Sequence, residues 1–188
     1  MARTTLLTKR IILDNAISII DELGFDQLTI NLLAKKLNLK APSLYNYVNS
    51  LEELYIEIFF QISEDFFEIL TNSVTNKKTG ISQFANTYRQ FAQEHPERYK
   101  LLTFLPCDNY DKFPGYLLKT RDIFNELIRN QLELSKSEAK YHARVLRSFI
   151  HGFILFELTN GWTATLEIDE SFKEGLKIII NGFKKNKK

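Results

Sequence analysis

The sequence predicts an all-α protein with two helical parts joined by a long helix. Apolar residues recur along most of the chain at i, i+3, i+4 and i+7, the spacing of one helix face. The alternation typical of strands does not extend over any useful length. Two short apolar-striped segments are separated by a tight turn near residue 38, which predicts a helix-turn-helix at about residues 29–48.

Composition limits the class of protein. The chain has 188 residues and 44% of them are apolar, which is enough for a globular core. Its 25 basic and 23 acidic residues give a net charge of +2, so any nucleic-acid contact must depend on a local basic surface. The single cysteine, Cys107, excludes an intrachain disulfide framework. Because no apolar run approaches about 18 residues, we expect a cytoplasmic protein without membrane association.

Three helices are predicted to form a small core before residue 50. The first runs from about Lys9 to Leu23 and ends at Gly24, because glycine tolerates the left-handed conformation that closes a helix. The second follows Thr29, whose hydroxyl can accept a backbone N–H, and ends at Asn38, which tolerates a positive φ. Its apolar stripe consists of Ile30, Leu33, Ala34 and Leu37.

The third helix, predicted from Pro42 to Val48, presents the candidate contact surface. Leu44 and Val48 are four residues apart and share an inward face, so Asn46 points outward. An asparagine amide can bond an adenine edge, and hydroxyls can bond bases or phosphates. In a helix-turn-helix this second helix enters the major groove. The same outward face is equally compatible with an ordinary solvated surface.

The candidate contacts to DNA fall into two groups. The candidates for base contact are Ser43, Asn46 and Tyr47. The candidates for phosphate contact are Thr29, Asn31, Lys40, Tyr45 and Ser50, together with Lys9 and Arg10. Ala41 and Pro42 complete the predicted DNA-binding set.

The first third of the chain resembles the DNA-binding domain of the TetR family of bacterial transcriptional repressors. The matching features are Gly24, Leu28-Thr29, Leu33-Ala34, Leu37, Pro42-Ser43-Leu44-Tyr45, Val48 and Glu53-Leu54. Two positions depart from the family pattern. Asn38 stands where glycine is usual, and Leu51 stands where the family has a phosphate-contacting lysine, so that contact does not carry over. The resemblance implies a small-molecule effector whose binding swings the fourth helix.

The fourth helix is predicted to join two domains. Ser50 and Glu53 fit a capping box, which starts this helix at Leu51 and lets it continue to about Thr75. We therefore expect a DNA-binding domain at residues 6–66 and a regulatory, ligand-binding and dimerisation domain at 67–188. The remaining predicted elements are a loop at 76–80, helices at 81–94 and 97–104, an irregular stretch at 105–110, and a helix opened by Phe113-Pro114.

The last two helices are predicted to form a homodimer interface, at about residues 138–160 and 170–184. Residues 149–158 are apolar on almost every side, and one chain of this size can cover only one of those sides. Three glycines inside these helices, each costing roughly 1 kcal/mol against alanine, suggest close approach of another helix. They are Gly152, Gly175 and Gly182. Simple tolerance of the glycines is the alternative.

The C-terminal half also resembles, less fully, the regulatory domain of a TetR subgroup named for a Trp-His-Gly signature. The likeness lies in the run from Tyr88 to Tyr99, in His151-Gly152 and in Gly161. Ile150 stands where the subgroup has tryptophan.

Aromatic residues of the second half are the candidates for a ligand pocket, since such pockets are mostly apolar. They are Tyr88, Phe91, Phe104, Tyr116, Phe124, Phe149, Phe153, Phe156 and Trp162. At each single position, core packing is the competing explanation. The sequence has no H-E-x-x-H, C-x-x-C, G-x-S-x-G or phosphate-loop motif, and its three histidines are scattered. We therefore predict no catalytic residue, no metal site and no cofactor.

These observations predict a homodimeric transcriptional repressor that reads a palindromic operator in double-stranded DNA and responds to a small, largely apolar ligand. One alternative is a helical small-molecule sensor that does not bind DNA, favoured by the modest net charge and by Leu51. The other is an all-helical enzyme, which the absence of paired carboxylates at helical spacing disfavours.

Overall fold

The computed structural model describes residues 7–74, 80–104, 116–162 and 166–185, and of residues 104, 116–120 and 185 only the backbone. Within these ranges the chain is helical and contains no strand, which confirms the all-α prediction. None of the described helices is both long and apolar enough to cross a bilayer. The helices are α1 (Lys9–Leu23), α2 (Ile30–Lys36), α3 (Ala41–Leu44), α4 (Leu51–Ser73), α5 (Gly80–Glu94), α6 (Pro96–Phe104), α7 (Tyr116–Leu132), α8 (Lys136–Leu158) and α9 (Ile168–Lys185).

The helix ends follow local signals in the sequence. The backbone of Gly24 has φ +102° and its N–H donates to the carbonyl of Ile20 at 2.9 Å, which closes α1 as predicted. Helix α8 begins slightly earlier than expected, because Ser135 and Glu138 form a complete capping box. Helix α4 has half of its predicted box. The hydroxyl of Ser50 accepts the N–H of Glu53 at 3.0 Å, while the Glu53 carboxylate accepts from the side chain of Asn49.

The chain divides into two compact units. The first contains the chain up to Phe66 together with α6, and the second contains Phe67–Glu94 with α7, α8 and α9. The sequence-based boundary at residue 66 had placed α6 in the second domain. Helix α6 packs instead against α1, where the guanidinium of Arg98 donates to the carboxylate of Asp21 at 2.8 and 2.6 Å. The loop predicted at 76–80, apart from Gly80, the stretch at 105–110 and the helix start at 113–114 lie outside the described residues.

The first unit has a continuous core of aliphatic side chains. Helices α1, α2 and α3 contribute the small three-helix core that the apolar stripes predicted, and the first half of α4 covers it. The most deeply buried side chains of this core are Ile12, Ala16, Ile20, Leu33, Leu44, Val48, Leu54, Ile58 and Ile62, each at most 1% exposed.

A buried ion-pair network joins three helices of the second unit. Arg89 of α5 is only 8% exposed, and its guanidinium donates to both carboxylate oxygens of Glu157 on α8 at 2.8 and 2.6 Å. It also donates to Asp169 on α9 at 2.7 Å. Its guanidinium carbon lies 4.9 Å from the ring centroid of Phe172 and 5.6 Å from that of Phe153, within the range of cation–π attraction.

The network also changes the ionisation of its members. Burial acts to raise the pKa of Glu157, but hydrogen bonds from Arg89 and Gln93 outweigh it, so the pKa of Glu157 lies below its ordinary value. The hydrogen bond to Glu157 raises the pKa of Arg89, which keeps the guanidinium charged. Because folding lowers the pKa of Glu157, its ionised carboxylate stabilises the folded state at pH values above the ordinary pKa of a glutamate. That stabilisation is lost as the pH falls through the lowered pKa.

We predict that Glu157→Gln lowers the free energy of unfolding by about 3 kcal/mol at neutral pH, because it leaves a buried arginine short of a charged partner. The difference in unfolding free energy between the variant and the wild type should shrink as the pH falls below the ordinary pKa of a glutamate. Urea unfolding across a pH series measures both effects. Asp169→Asn is the matched control. The side chain of Asp169 is 84% exposed, so its loss should cost at most about 1 kcal/mol. Equal effects of the two variants would contradict this assignment.

Candidate nucleic-acid interface

The turn between α2 and α3 is a Schellman motif closed by asparagine. The N–H of Leu39 donates to the carbonyl of Ala34 at 2.8 Å, and the N–H of Asn38 donates to that of Lys35 at 3.1 Å. Asn38 has φ +55°, the left-handed conformation that this motif requires of its closing residue. Asparagine therefore occupies the position in which glycine is commonest, and the turn keeps its geometry.

The third helix is shorter than the predicted span of Pro42 to Val48. Regular α-helix covers Ala41–Leu44, and the chain continues as a turn through Tyr47. The N–H groups of Tyr47 and Val48 both donate to the carbonyl of Leu44, at 2.9 and 3.1 Å. A shared carbonyl of this kind tightens the last turn of a helix. The segment therefore keeps a helical course up to Val48, although its second half is not regular α-helix.

The two faces of this segment match the predicted orientation. Leu44 and Val48 are 0% and 1% exposed, whereas Asn46 is exposed. Tyr45 and Tyr47, on either side of Asn46, are 55% and 38% exposed. Pro42 is exposed, and Ala41 and Ser43 are half-buried. In the described part of the chain, the side chains of Ser43, Asn46 and Tyr47 have no hydrogen-bond partner, so their polar groups are available to a ligand.

Two capping hydroxyls lie on the exposed surface of the same unit. Thr29 accepts the N–H of Leu32 at 3.1 Å, and Ser50 accepts that of Glu53 at 3.0 Å. Each hydroxyl uses a lone pair as a cap and retains its O–H as a donor. Asn31 is also exposed. These groups can donate to phosphate without disturbing the helix starts.

The basic candidates differ in their availability. Lys9 pairs with Glu57 at 2.5 Å, and this hydrogen bond raises the pKa of Lys9. Arg10 pairs with Asp14 at 3.1 Å. Lys40 is exposed and has no ionic partner among the described residues.

Lys35, in the last turn of α2, is a further basic residue at the turn. It is exposed and likewise unpaired in the described ranges, and the sequence patterns had not singled it out. The signal in the sequence was the position of Lys35 outside the apolar stripe of α2, which predicts an exposed side chain.

Several aromatic candidates for a ligand pocket form two clusters of ring contacts. Tyr88 and Phe124 are buried and lie 6.2 Å apart between ring centroids, with Phe84 4.3 Å from Phe124. In the other cluster, Phe153 lies 5.8 Å from Phe149 and 4.8 Å from Trp162.

Phe156 belongs to the second cluster, because its ring centroid lies 5.2 Å from that of Trp162. Phe91 is 3% exposed, whereas Phe156 and Trp162 are 52% and 40% exposed. The side chains of Phe104 and Tyr116 lie outside the described residues. Among the residues that the structure describes, no three His, Cys, Asp or Glu side chains converge on a potential metal position.

Comparison with known proteins identifies relatives of both halves of the chain. Residues 81–179 match a family described as tetracyclin repressor-like, C-terminal domain. An uncharacterised HTH-type transcriptional regulator of Mycobacterium tuberculosis, Rv0681, is 34% identical over 163 residues, which cover 85% of this chain and 74% of the relative.

Solved structures share the fold. BioQ bound to its double-stranded DNA operator superimposes with a TM-score of 0.68 at 18% identity, covering 96% of this chain and 99% of BioQ. A variant of TetR from Acinetobacter baumannii AYE, in complex with minocycline, has a TM-score of 0.68 at 19% identity. The match covers 95% of this chain and 97% of that one. At these identities the likeness establishes the arrangement of helices.

The left-handed backbone conformation of Asn38 in the Schellman turn can be tested directly. We predict that Asn38→Ala lowers the free energy of unfolding by about 1 kcal/mol, because alanine lacks the tolerance of asparagine for a positive φ. Asn38→Gly is the paired variant and should leave stability unchanged or raise it slightly. Chemical denaturation measures both. Equal destabilisation by alanine and glycine would indicate that the asparagine side chain, and not its backbone conformation, matters here.

Proposed function

Because the chain belongs to the tetracycline repressor-like (TetR) family of HTH-type, DNA-binding transcription regulators, we propose that it acts as a homodimeric repressor of a palindromic operator. A small, largely apolar ligand would release it from the DNA. The observation that carries the proposal is the exposed amide of Asn46, which has no hydrogen-bond partner among the described residues. It lies on a turn whose opposite side is fixed by Leu44 and Val48.

In the proposed complex, this segment lies in the major groove. Asn46 bonds an adenine edge, and Ser43 and Tyr47 contact neighbouring bases or thymine methyl groups. Lys40 supplies a phosphate contact, because its charge is not engaged by a carboxylate of the described chain. Phosphate contacts by Lys9 and Arg10 would compete with Glu57 and Asp14. The other proposed phosphate contacts are Thr29, Asn31, Tyr45 and Ser50.

The proposed dimer uses α8 and α9. Along α8 an exposed stripe includes Tyr141, Val145 and Phe156, which are 70%, 52% and 52% exposed in the single chain. Ile178 of α9 is 69% exposed. Exposed apolar residues that share one helix face are typical of an interface.

The glycines of α8 and α9 divide between two roles. A Cβ added at Gly152 or Gly182 would meet no atom of the described residues within 4 Å, which leaves room for a partner helix. A Cβ at Gly175 would lie 2.5 Å from the ring of Phe149. The close approach at Gly175 is therefore made within the chain, in contrast to the expectation that all three glycines face a partner.

The proposed ligand acts by differential affinity. It releases the operator only if it binds more tightly to a conformation in which the two reading segments are wrongly spaced. The solved complex of the TetR variant with minocycline is an example of a small molecule held by this fold. In the present chain, the two aromatic clusters of the second unit offer the apolar contacts for such a ligand.

A second candidate function, a sensor that does not bind DNA, is favoured by two observations. Leu51 replaces the lysine usual in the family, and Lys9 and Arg10 are held by carboxylates. A gel shift with the DNA that flanks the protein's own gene distinguishes the two functions. A discrete, competitor-resistant complex supports the repressor, and its absence supports the sensor.

We predict that Asn46→Ala relaxes base preference at one position of each half-site, costing about 1–3 kcal/mol of binding free energy for the preferred sequence. Lys40→Ala should weaken all sequences alike and lower the slope of log affinity against log salt by about one. Selection of binding sites from random DNA, followed by salt titration, measures both effects. An unchanged sequence preference for Asn46→Ala would contradict its assignment as a base reader.

We also predict that Val145→Glu weakens the dimer at least about tenfold, because a carboxylate would be buried without a partner. Sedimentation equilibrium measures the association. Asn86→Glu, which adds the same charge at an exposed position of α5, should leave the dimer intact. Circular dichroism should show unchanged helix content for both variants. A Val145→Glu protein that remains as dimeric as the control would exclude α8 from the interface.

A further inference from the structure

A strongly basic groove lies between α7 and α8. Lys140, Arg144 and Arg147 occur on α8 at i, i+4 and i+7, so they form one stripe along the helix. Arg121 of α7 lines the same groove, which has a volume of about 440 Å³. That volume falls within the range of small-molecule sites. We call this feature the basic groove, defined by Arg121, Lys140, Arg144 and Arg147.

Of the four positive charges of the basic groove, the described chain pairs only that of Arg121 with a carboxylate. Five of the seven described arginines pair with a carboxylate, and Arg144 and Arg147 are the two that do not. Lys140 likewise has no ionic partner among the residues that the structure describes. Like charges one turn apart on a helix repel each other, so an anion bound between them would be stabilised.

Two carboxylates of an adjoining groove pair with arginines of α7. An adjoining groove contains Asp122 and Glu126, which pair with Arg121 and Arg129 at 3.0 and 3.1 Å. No carboxylate lines the basic groove itself within the described ranges. The excess of positive charge is therefore concentrated at the α8 side.

The basic groove also offers apolar contact. Phe124 and Ala143 form its floor, where they are 2% and 6% exposed, and the aliphatic stems of Lys140 and the arginines add apolar surface. Asn125 adds an amide that can hydrogen-bond a ligand. Guanidinium groups bind carboxylate and phosphate through paired N–H donors. The lining thus combines positively charged groups for an oxyanion with apolar contact from the aliphatic stems of their side chains.

We propose that the basic groove binds a small organic anion, in which a carboxylate or phosphate group is attached to an apolar body. The oxyanion lies between Arg144 and Arg147, and the apolar body lies along the aliphatic stems of the lining side chains. That this anion is the effector rests on the proposed repressor function, whereas its binding does not. The inference narrows the effector from an apolar molecule to an amphipathic anion.

Isothermal titration of the full-length protein with three probes tests the proposal. Phenylbutyrate and phenyl phosphate carry the two candidate oxyanions, and phenylbutanol is the neutral counterpart of the first. We expect both anions to bind at least about tenfold more tightly than the alcohol. Equal affinity for phenylbutyrate and phenylbutanol, or no binding of either anion at millimolar concentration, would overturn the proposal.

Variants locate the site. Arg144→Gln combined with Arg147→Gln should weaken binding of the anions by about tenfold or more. Arg144→Lys combined with Arg147→Lys retains the charge and should bind with intermediate affinity. Lys173→Gln combined with Lys177→Gln is the matched control, since it removes two exposed positive charges from α9. Undiminished anion binding by the glutamine pair at Arg144 and Arg147, or an equal loss in the control, would overturn the assignment.

A gel shift on the same samples distinguishes two claims, that the basic groove binds an anion and that this anion is the effector. Loss of operator binding on addition of phenylbutyrate supports the identification of the anion as effector. Failure of the protein to bind any DNA would count against the repressor function and would leave the titration result standing.

Discussion

The burial of Leu44 and Val48 is the constraint on which the candidate interface depends. Helix α3 has only four residues of regular α-helix, far too few to be stable alone. Its orientation therefore comes from tertiary packing. Two fully buried aliphatic side chains contribute roughly 1.5–3 kcal/mol each. This contribution holds the segment against the first unit and leaves Asn46 and its neighbours exposed.

Features set by neighbouring residues could be predicted from the sequence. The capping hydroxyl of Thr29, the glycine end of α1 and the left-handed Asn38 each satisfy backbone groups a few residues away, so their signals are local. The inward and outward faces of the segment from Ala41 to Val48 followed from helical periodicity. The length of α3 did not, because its final carbonyl serves two N–H groups in a tightened turn.

Features set by contacts distant in sequence could not be predicted. The ion pair of Arg98 with Asp21, which fixes α6 in the first unit, joins residues 77 positions apart. The sequence positions of the aromatic residues do not show which of them pack together, since Tyr88 of α5 contacts Phe124 of α7 and Phe153 of α8 contacts Trp162. The network of Arg89 was likewise hidden, since its two carboxylates lie on two later helices.

Helix α8 presents three different surfaces. Its buried side packs in the second unit, a second side carries Lys140, Arg144 and Arg147, and a third exposes Tyr141 and Val145. On each side the residues are spaced by the helical repeat, so one helix can contribute to a core, to an anion site and to an interface between subunits. Helix α8 therefore carries both the proposed ligand site and the proposed dimer interface.

The central claim is that the segment from Ala41 to Val48 contacts bases of the operator, and that a dimer presents two such segments to the DNA. Hydroxyl-radical footprinting of the protein on the DNA that flanks its own gene tests this claim most directly. The account predicts two symmetry-related protected patches whose centres lie about one helical turn apart, roughly 10–10.5 base pairs. A single protected patch, or protection without two-fold symmetry, would contradict it.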